Sequence, residues 1–218
     1  MKQAWKQAWQ SRVFRNKLAL SLFALAVAGQ HNFYFLNRWQ LRKGEQLNDW
    51  LLNQLTPIDF SVPIFVLIYG VMIAVIISLL NNPNRLVIGL QVFALMTFCR
   101  TMAIYFFPLE PPAEMIYLRD PVGEFFLVKE FPITKDLFFS GHTASLCVFF
   151  LMCEVKWLKW LAGIALVLVP TMILWQHVHY TIDVIAAPVV TYICYRIALY
   201  LNSDESILKK GALEKLFG

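Results

Sequence analysis

The chain has 218 residues, 59% of them hydrophobic and 15% charged, with a net charge of +5. Soluble domains run at about 45–50% apolar and about 25% charged, and the apolar residues here gather in runs near the roughly 20 needed to cross about 30 Å of hydrocarbon. An ordinary soluble domain is excluded. So is a nucleic-acid footprint, because the basic excess sits at the ends of apolar runs with no basic–aromatic pattern.

Residues 1–17 place Trp5, Trp9 and Val13 at four-residue intervals, with Lys2, Lys6, Arg12, Arg15 and Lys17 around them. This spacing predicts an amphipathic helix in the headgroup region; a frayed basic tail is the alternative. A first span is expected over 18–36. Its first half, ending Ala26-Val27-Ala28, has the small-residue pattern of a signal peptide, but the apolar run continues through Phe33-Tyr34-Phe35-Leu36, which favours an uncleaved span.

Further spans are expected over 60–80, 86–107, 141–154 (continuing back toward Leu137), 158–175 and 180–201. Asn81-Asn82-Pro83-Asn84 reads as a tight turn. Between them lies a long connection, 108–139, broken by Pro108, Pro111, Pro112, Pro121 and Pro132; connections of this length are usually functional or disordered. The expected architecture is an all-α integral membrane protein. A six-transmembrane-helix bundle over 18–201 follows an interfacial segment, 1–17, and precedes a cytoplasmic tail, 202–218.

Lys and Arg set the orientation. With the amino terminus inside, eleven of them fall in inner segments and six in outer ones, which favours two cytoplasmic termini. Helix parity then puts the connections before the fourth and sixth spans on the outer side together.

Two polar patches open those two spans: Lys135-Asp136-Leu137-Phe138-Phe139-Ser140-Gly141-His142-Thr143 and His179-Tyr180-Thr181-Ile182-Asp183. A helix amino terminus offers unpaired N–H groups and partial positive charge to an anion. Ser140 suits an N-cap, Gly141 permits close approach to the backbone, and His142 follows; ordinary capping is the plain alternative. His179 and Asp183, spaced i, i+4, share a helical face. A carboxylate on one imidazole nitrogen fixes the tautomer and frees the other as nucleophile or base; a structural hydrogen bond at the membrane edge is the alternative. Arg100, about two-thirds along the third span, is a candidate phosphate or carboxylate clamp, or else snorkels or pairs with an acid of the connection. Arg119, Lys129 and Lys135 have acidic neighbours and suit a solvated loop surface. His31, with Gln30 and Asn32, is expected to make a buried polar contact, and Arg196 to snorkel toward the inner face.

Cys99, Cys147, Cys153 and Cys194 lie in apolar stretches without paired spacing and read as small hydrophobes. His142, His177 and His179 have no carboxylate at metal-ligand spacing, so neither metal nor cofactor is expected.

Together, Asp136 with Ser140-Gly141-His142-Thr143 and His179-Tyr180-Thr181-Ile182-Asp183-Val184 resemble the motifs of the type 2 phosphatidic acid phosphatase superfamily. The wording is closer to its sphingomyelin synthase-like branch, and the resemblance covers about 60–200. It implies a metal-independent phosphotransferase on phospholipid or lipid phosphate with a lipid alcohol as acceptor; the loop charges put that site on the outer face, and the expected location is a bacterial inner membrane. Its implied roles are His179 as nucleophile through a phosphohistidine-type intermediate, Asp183 orienting it, His142 as acid and base, and Ser140, Gly141 and Arg100 on the phosphate. A lipid phosphate phosphatase and a non-catalytic lipid-binding or transport protein are the alternatives. The pattern departs from the superfamily in lacking Lys-x6-Arg-Pro and in having Met172-Ile173 for a Ser-Arg pair. It departs from the branch in having Thr134-Lys135 for Cys-Gly and Pro188 for a tyrosine.

Overall fold

The computed structural model describes residues 1–39, 41–120 and 133–203. Most of the expected tail, Lys129, and the breakers Pro121 and Pro132 lie outside them. The described residues form helices α1 (Lys2–Gln10), α2 (Arg12–Trp39), α3 (Ser61–Leu79), α4 (Pro83–Phe106), α5 (Gly141–Met152), α6 (Lys156–Trp175) and α7 (Thr181–Asn202), with no strand among them. Five of these, α2, α3, α4, α6 and α7, are long and apolar enough to cross a bilayer, which marks an integral membrane protein.

The six-span expectation meets α5, which has only 12 residues, about 18 Å at 1.5 Å per residue. It is also the enclosed helix, packed against α3, α4, α6 and α7, with Leu146, Val148, Phe149 and Met152 buried. Walled in by protein, its carboxyl end has no lipid to reach. Arg85 completes that end: Nε donates to the Met152 carbonyl at 2.7 Å and Nη2 to Leu151 at 3.2 Å, filling carbonyls a helix terminus leaves open, while Nη1 pairs with Glu154 at 2.8 Å.

Alanines 162, 165, 187 and 198 are fully buried where α6 and α7 meet the bundle, small side chains that let backbones approach closely. Val62, Val66, Ile164, Val167, Ile185 and Val189 face outward, so the surface of these helices is as apolar as the core, the pattern of a chain solvated by hydrocarbon. Trp157 and Trp160 stand exposed at the start of α6 beside Lys156 and Lys159, as at a membrane–water interface.

Polar contacts sort to the two ends of the bundle. At one end lie Trp5 Nε1 to the Leu80 carbonyl (2.8 Å), Lys17 to Asn202 (3.1 Å) and the Arg85–Glu154 pair. At the other lie Ile58 N–H to the Trp175 carbonyl, Glu110 N–H to the Glu45 carbonyl and Ser140 N–H to the Asp183 carbonyl. The two polar patches of the sequence meet at this second end.

Two local expectations change. The chain breaks at Ser11 into α1 and α2, so Val13 leaves the face of Trp5 and Trp9; both tryptophans instead contact Phe14, at 6.2 and 6.4 Å between ring centroids. His31 lies tilted against Phe35 at 4.2 Å between ring centroids, and the polar contact, half-buried, belongs to its neighbour, with Asn32 Oδ1 accepting from the Thr101 hydroxyl at 3.0 Å. Arg196 lies exposed and donates to the Tyr192 hydroxyl at 3.1 Å. All four cysteines are free thiols.

Candidate active site

The site is built where α5 and α7 begin. Ser140 caps α5, its hydroxyl oxygen accepting from the Thr143 N–H at 3.4 Å and the Thr143 hydroxyl at 3.1 Å. The Asp183 carboxylate accepts from the Tyr180 N–H at 3.1 Å, so the aspartate caps α7 from its own first turn. The Ser140 N–H donates to the Asp183 carbonyl at 3.1 Å, which ties the two helix starts directly together.

The same Asp183 oxygen, Oδ2, lies 3.2 Å from Nδ1 of His179, and both residues are buried. The contact occupies Nδ1 and leaves Nε2 as the other ring nitrogen, and the ring borders a cavity of about 150 Å³ together with His142, Asp136, Asp120, Tyr117 and Thr134. Across it, the His142 and His179 rings stand 6.4 Å apart between centroids. Phe65 of α3 backs His142 edge-on at 5.8 Å. Asp183 Oδ1 and His142 Nδ1 are buried with no hydrogen-bond partner among the described residues, an arrangement that costs stability and concentrates at functional sites.

Arg100 reaches this region from α4 and is committed to the chain itself. Nε donates to the Phe139 carbonyl at 2.8 Å, Nη2 to the Asp136 carbonyl at 3.1 Å, and Nη1 pairs with the Asp136 carboxylate at 2.8 Å. These bonds explain why α5 does not extend back toward Leu137: the carbonyls that would carry the helix go to the guanidinium. They also account for Gly141. A Cβ there would sit 2.9 Å from Arg100 Cζ, so the absence of a side chain leaves room for the guanidinium beside the start of α5.

Lys135 turns away from the histidines and donates to Glu110 at 2.6 Å and to the Arg42 carbonyl at 2.7 Å; Arg119 is exposed. His177 sits apart from His142 and His179. It closes α6 with φ 56°, its N–H donating to the Leu174 carbonyl and the Val178 N–H to that of Ile173, a Schellman ending in which histidine takes the usual glycine position. Among the described residues no three His, Cys, Asp or Glu side chains converge as a metal requires. Ile173, one of the pair replacing Ser-Arg, is fully buried in the core.

Several supporting residues are not evident in the sequence reading. Asp49, in the connection after α2, accepts from the Thr181 N–H at 2.6 Å and the Thr181 hydroxyl at 2.9 Å. Burial pushes its carboxyl up, but the bonds from Thr181, Leu52 and Leu51 outweigh this and hold it below the usual range. Glu110 is likewise lowered, by the Lys135 ammonium and the Gly44 N–H. Gln176, fully buried, donates to the Ser61 hydroxyl at 3.0 Å and accepts from the Phe60 N–H at 2.8 Å, locking the end of α6 to the start of α3. An Asp followed by two bonded N–H groups is the Asx-turn signal that could have marked Asp49; a glutamine ending an apolar run carries no such signature.

Residues 135–200 match the family model described as PAP2 superfamily C-terminal. The matched segment holds α5, α6, α7 and both polar patches. It supports placement in the PAP2 superfamily, whose members are typically phosphatases, and with the apolar helices it indicates a phosphatase- or phosphotransferase-type lipid enzyme. Comparison with curated proteins gives no match.

Proposed function

We propose that the protein transfers phosphoryl or phospho-head-groups of membrane lipids through His179, His142 and Asp183. The observation that carries this reading is the pair of imidazoles facing one another across a common cavity, one held by a buried carboxylate. His179 Nε2 attacks phosphorus, forming the N–P bond as the P–O bond to the lipid breaks. His142, which holds a proton once the anionic phosphate is bound beside it, gives that proton to the departing oxygen. Asp183 balances the positive charge on the phosphorylated imidazole. The acceptor hydroxyl then loses its proton to His142 and attacks phosphorus, releasing His179. Ser140 and the backbone at Gly141 would bind the phosphate oxygens at the start of α5. Arg100 would add positive potential while shaping the wall through Asp136 and Phe139.

The acceptor separates two readings. A sphingomyelin synthase-like transferase passes the group to a lipid alcohol, as the Thr143 and Tyr180-Thr181 wording favours. A phosphatase passes it to water, and the match over 135–200 fits either acceptor. Purified protein given labelled phospholipid or lipid phosphate, with and without lipid alcohol, distinguishes them: product only with acceptor means transferase, and free phosphate means hydrolysis. No product in either arm, with binding retained, means a lipid-binding protein.

In the same reading both termini are cytoplasmic, α5 counts as the fourth of six spans, the six-helix domain runs over 18–201, and α1 lies in the headgroup layer. The basic residues at the Trp157 end support this orientation. Thiol labelling of single cysteines placed at positions 3 and 113, from outside intact cells, tests it: only the second should react.

A further inference from the structure

His142 borders a second cavity, which His179 does not reach. It measures about 260 Å³ and lies between α2, α3, α4 and α5. Phe93 and Met96 of α4 make part of its wall apolar, while Asn32 of α2 and Ser145 of α5 add polar groups. His142 and Arg100 border it as well. The helix carrying Asn32 packs chiefly on α4 and makes no comparable packing on α3 or α5, so the seam beside α2 is the loose wall of this cavity. The first cavity also has His142 and Asp136 on its border but no residue of α2 or α4; connection residues both polar (Tyr117, Asp120, Thr134) and apolar (Met115, Leu118, Ile133) line it instead.

From this two-sided arrangement we infer that the second cavity is a subsite for the hydroxyl-bearing end of a lipid alcohol, with Asn32 as a specificity-determining residue. The inference rests on the phosphoryl-transfer reading and assigns the lipid side of that reaction. The phosphorus lies between the imidazoles. The oxygen leaving it, or attacking it, is bonded to that phosphorus at the edge of His142, which exchanges its proton and borders both cavities. The apolar wall takes the adjoining hydrocarbon. Asn32 Oδ1 accepts from Thr101, which orients the carboxamide and leaves its Nδ2 to donate to the lipid oxygen. Asn32 lies outside the matched segment 135–200, so the amino-terminal helix would set lipid preference while α5 and α7 perform the transfer.

The test uses full-length protein in phosphatidylcholine vesicles with a photoreactive diacylglycerol. Labelling should concentrate on the peptides carrying Phe93, Met96 or Ser145, and excess diacylglycerol should compete while triacylglycerol, which lacks the hydroxyl, should not. Asn32→Leu should reduce that hydroxyl preference by about fivefold, the scale of one hydrogen bond. Ser145→Phe should block labelling, and Thr97→Phe, across the same space, serves if that variant does not assemble. Labelling spread evenly over outward residues such as Val167 and Ile185, or unaltered by Asn32→Leu and the blocking variant, overturns the subsite. None of these readouts needs turnover, so a protein without phosphoryl transfer refutes the proposed reaction while labelling still decides the subsite. Where turnover occurs, a diacylglycerol that gains the labelled group is the acceptor, and one that only inhibits as product is the leaving group; either agrees with the subsite. A diacylglycerol that does neither at saturating labelling overturns it.

Discussion

Gly141 lies against the Arg100 guanidinium so closely that a Cβ would stand 2.9 Å from Cζ. Arginine tips usually yield, but this one is held by Phe139 and both the carbonyl and the carboxylate of Asp136. Gly141→Ala should therefore shift the 136–139 wall by a fraction of an ångström to an ångström. Misplacements near 1 Å cost about 10²-fold in rate, so kcat should fall by about that factor with thermal stability nearly kept. Unchanged kcat in a well-folded Gly141→Ala would show the contact to be slack.

Asp183 fixes the His179 tautomer in the proposed mechanism. Asp183→Asn should lower kcat by about 10³–10⁴-fold, by analogy with tautomer control in hydrolytic triads, and His179→Ala should remove turnover. A phosphoenzyme trapped by acid quench from labelled substrate should be present in the parent and absent in His179→Ala. Labelled phosphoenzyme surviving that substitution places the nucleophile elsewhere.

His142 is assigned the proton of the leaving oxygen, so its loss should depend on the leaving group. With a lipid phosphate, His142→Ala should cost about 10²–10⁴-fold. With p-nitrophenyl phosphate, whose phenolate departs without a proton, the loss should shrink by at least about tenfold. Equal losses for both substrates would remove the general-acid role.

Asp49 and Glu110 both have carboxyls lowered by hydrogen bonds outside the spans. A depressed carboxylate stabilises the fold above its unfolded pKa, near 3.9 for Asp and 4.3 for Glu, and that contribution disappears as pH falls through the lower folded values. Unfolding scans should show stability level above about pH 5 and declining below about pH 4. Asp49→Ala should soften the acid decline and cost about 0.5–2 kcal/mol at neutral pH, as for a lost N-cap on α7. An identical acid profile in parent and variant would mean that the Asp49–Thr181 contact contributes nothing.

Much of this layout is legible in the chain. Apolar runs locate the long helices to within a few residues, because only hydrocarbon-facing and core-facing positions together produce such runs. Asn82 before Pro83 and Ser140 before Gly141 mark helix starts through capping chemistry that is local. The pairing of the two patches follows from helix parity. What the residues do not disclose is long-range: that Arg100 would spend its fork on Phe139 and Asp136, that Asp49 would cap a helix 132 residues away in sequence, or that Arg85 would close α5. Each depends on which polar group the fold happens to bring within 3 Å, and no periodicity encodes that. The break at Ser11 belongs to the same class, since a four-residue repeat continues across it unaltered.

The central helix is moored twice, by the Ser140 N–H to Asp183 at one end and by Arg85 on the Met152 carbonyl at the other. It is thus a spacer of set length and phase. One added residue would lengthen it by about 1.5 Å and turn one end by about 100°, so the two moorings could not both hold. Evolution can repaint the outward faces of its neighbours freely, but the interval between Ser140 and Met152 admits no insertion.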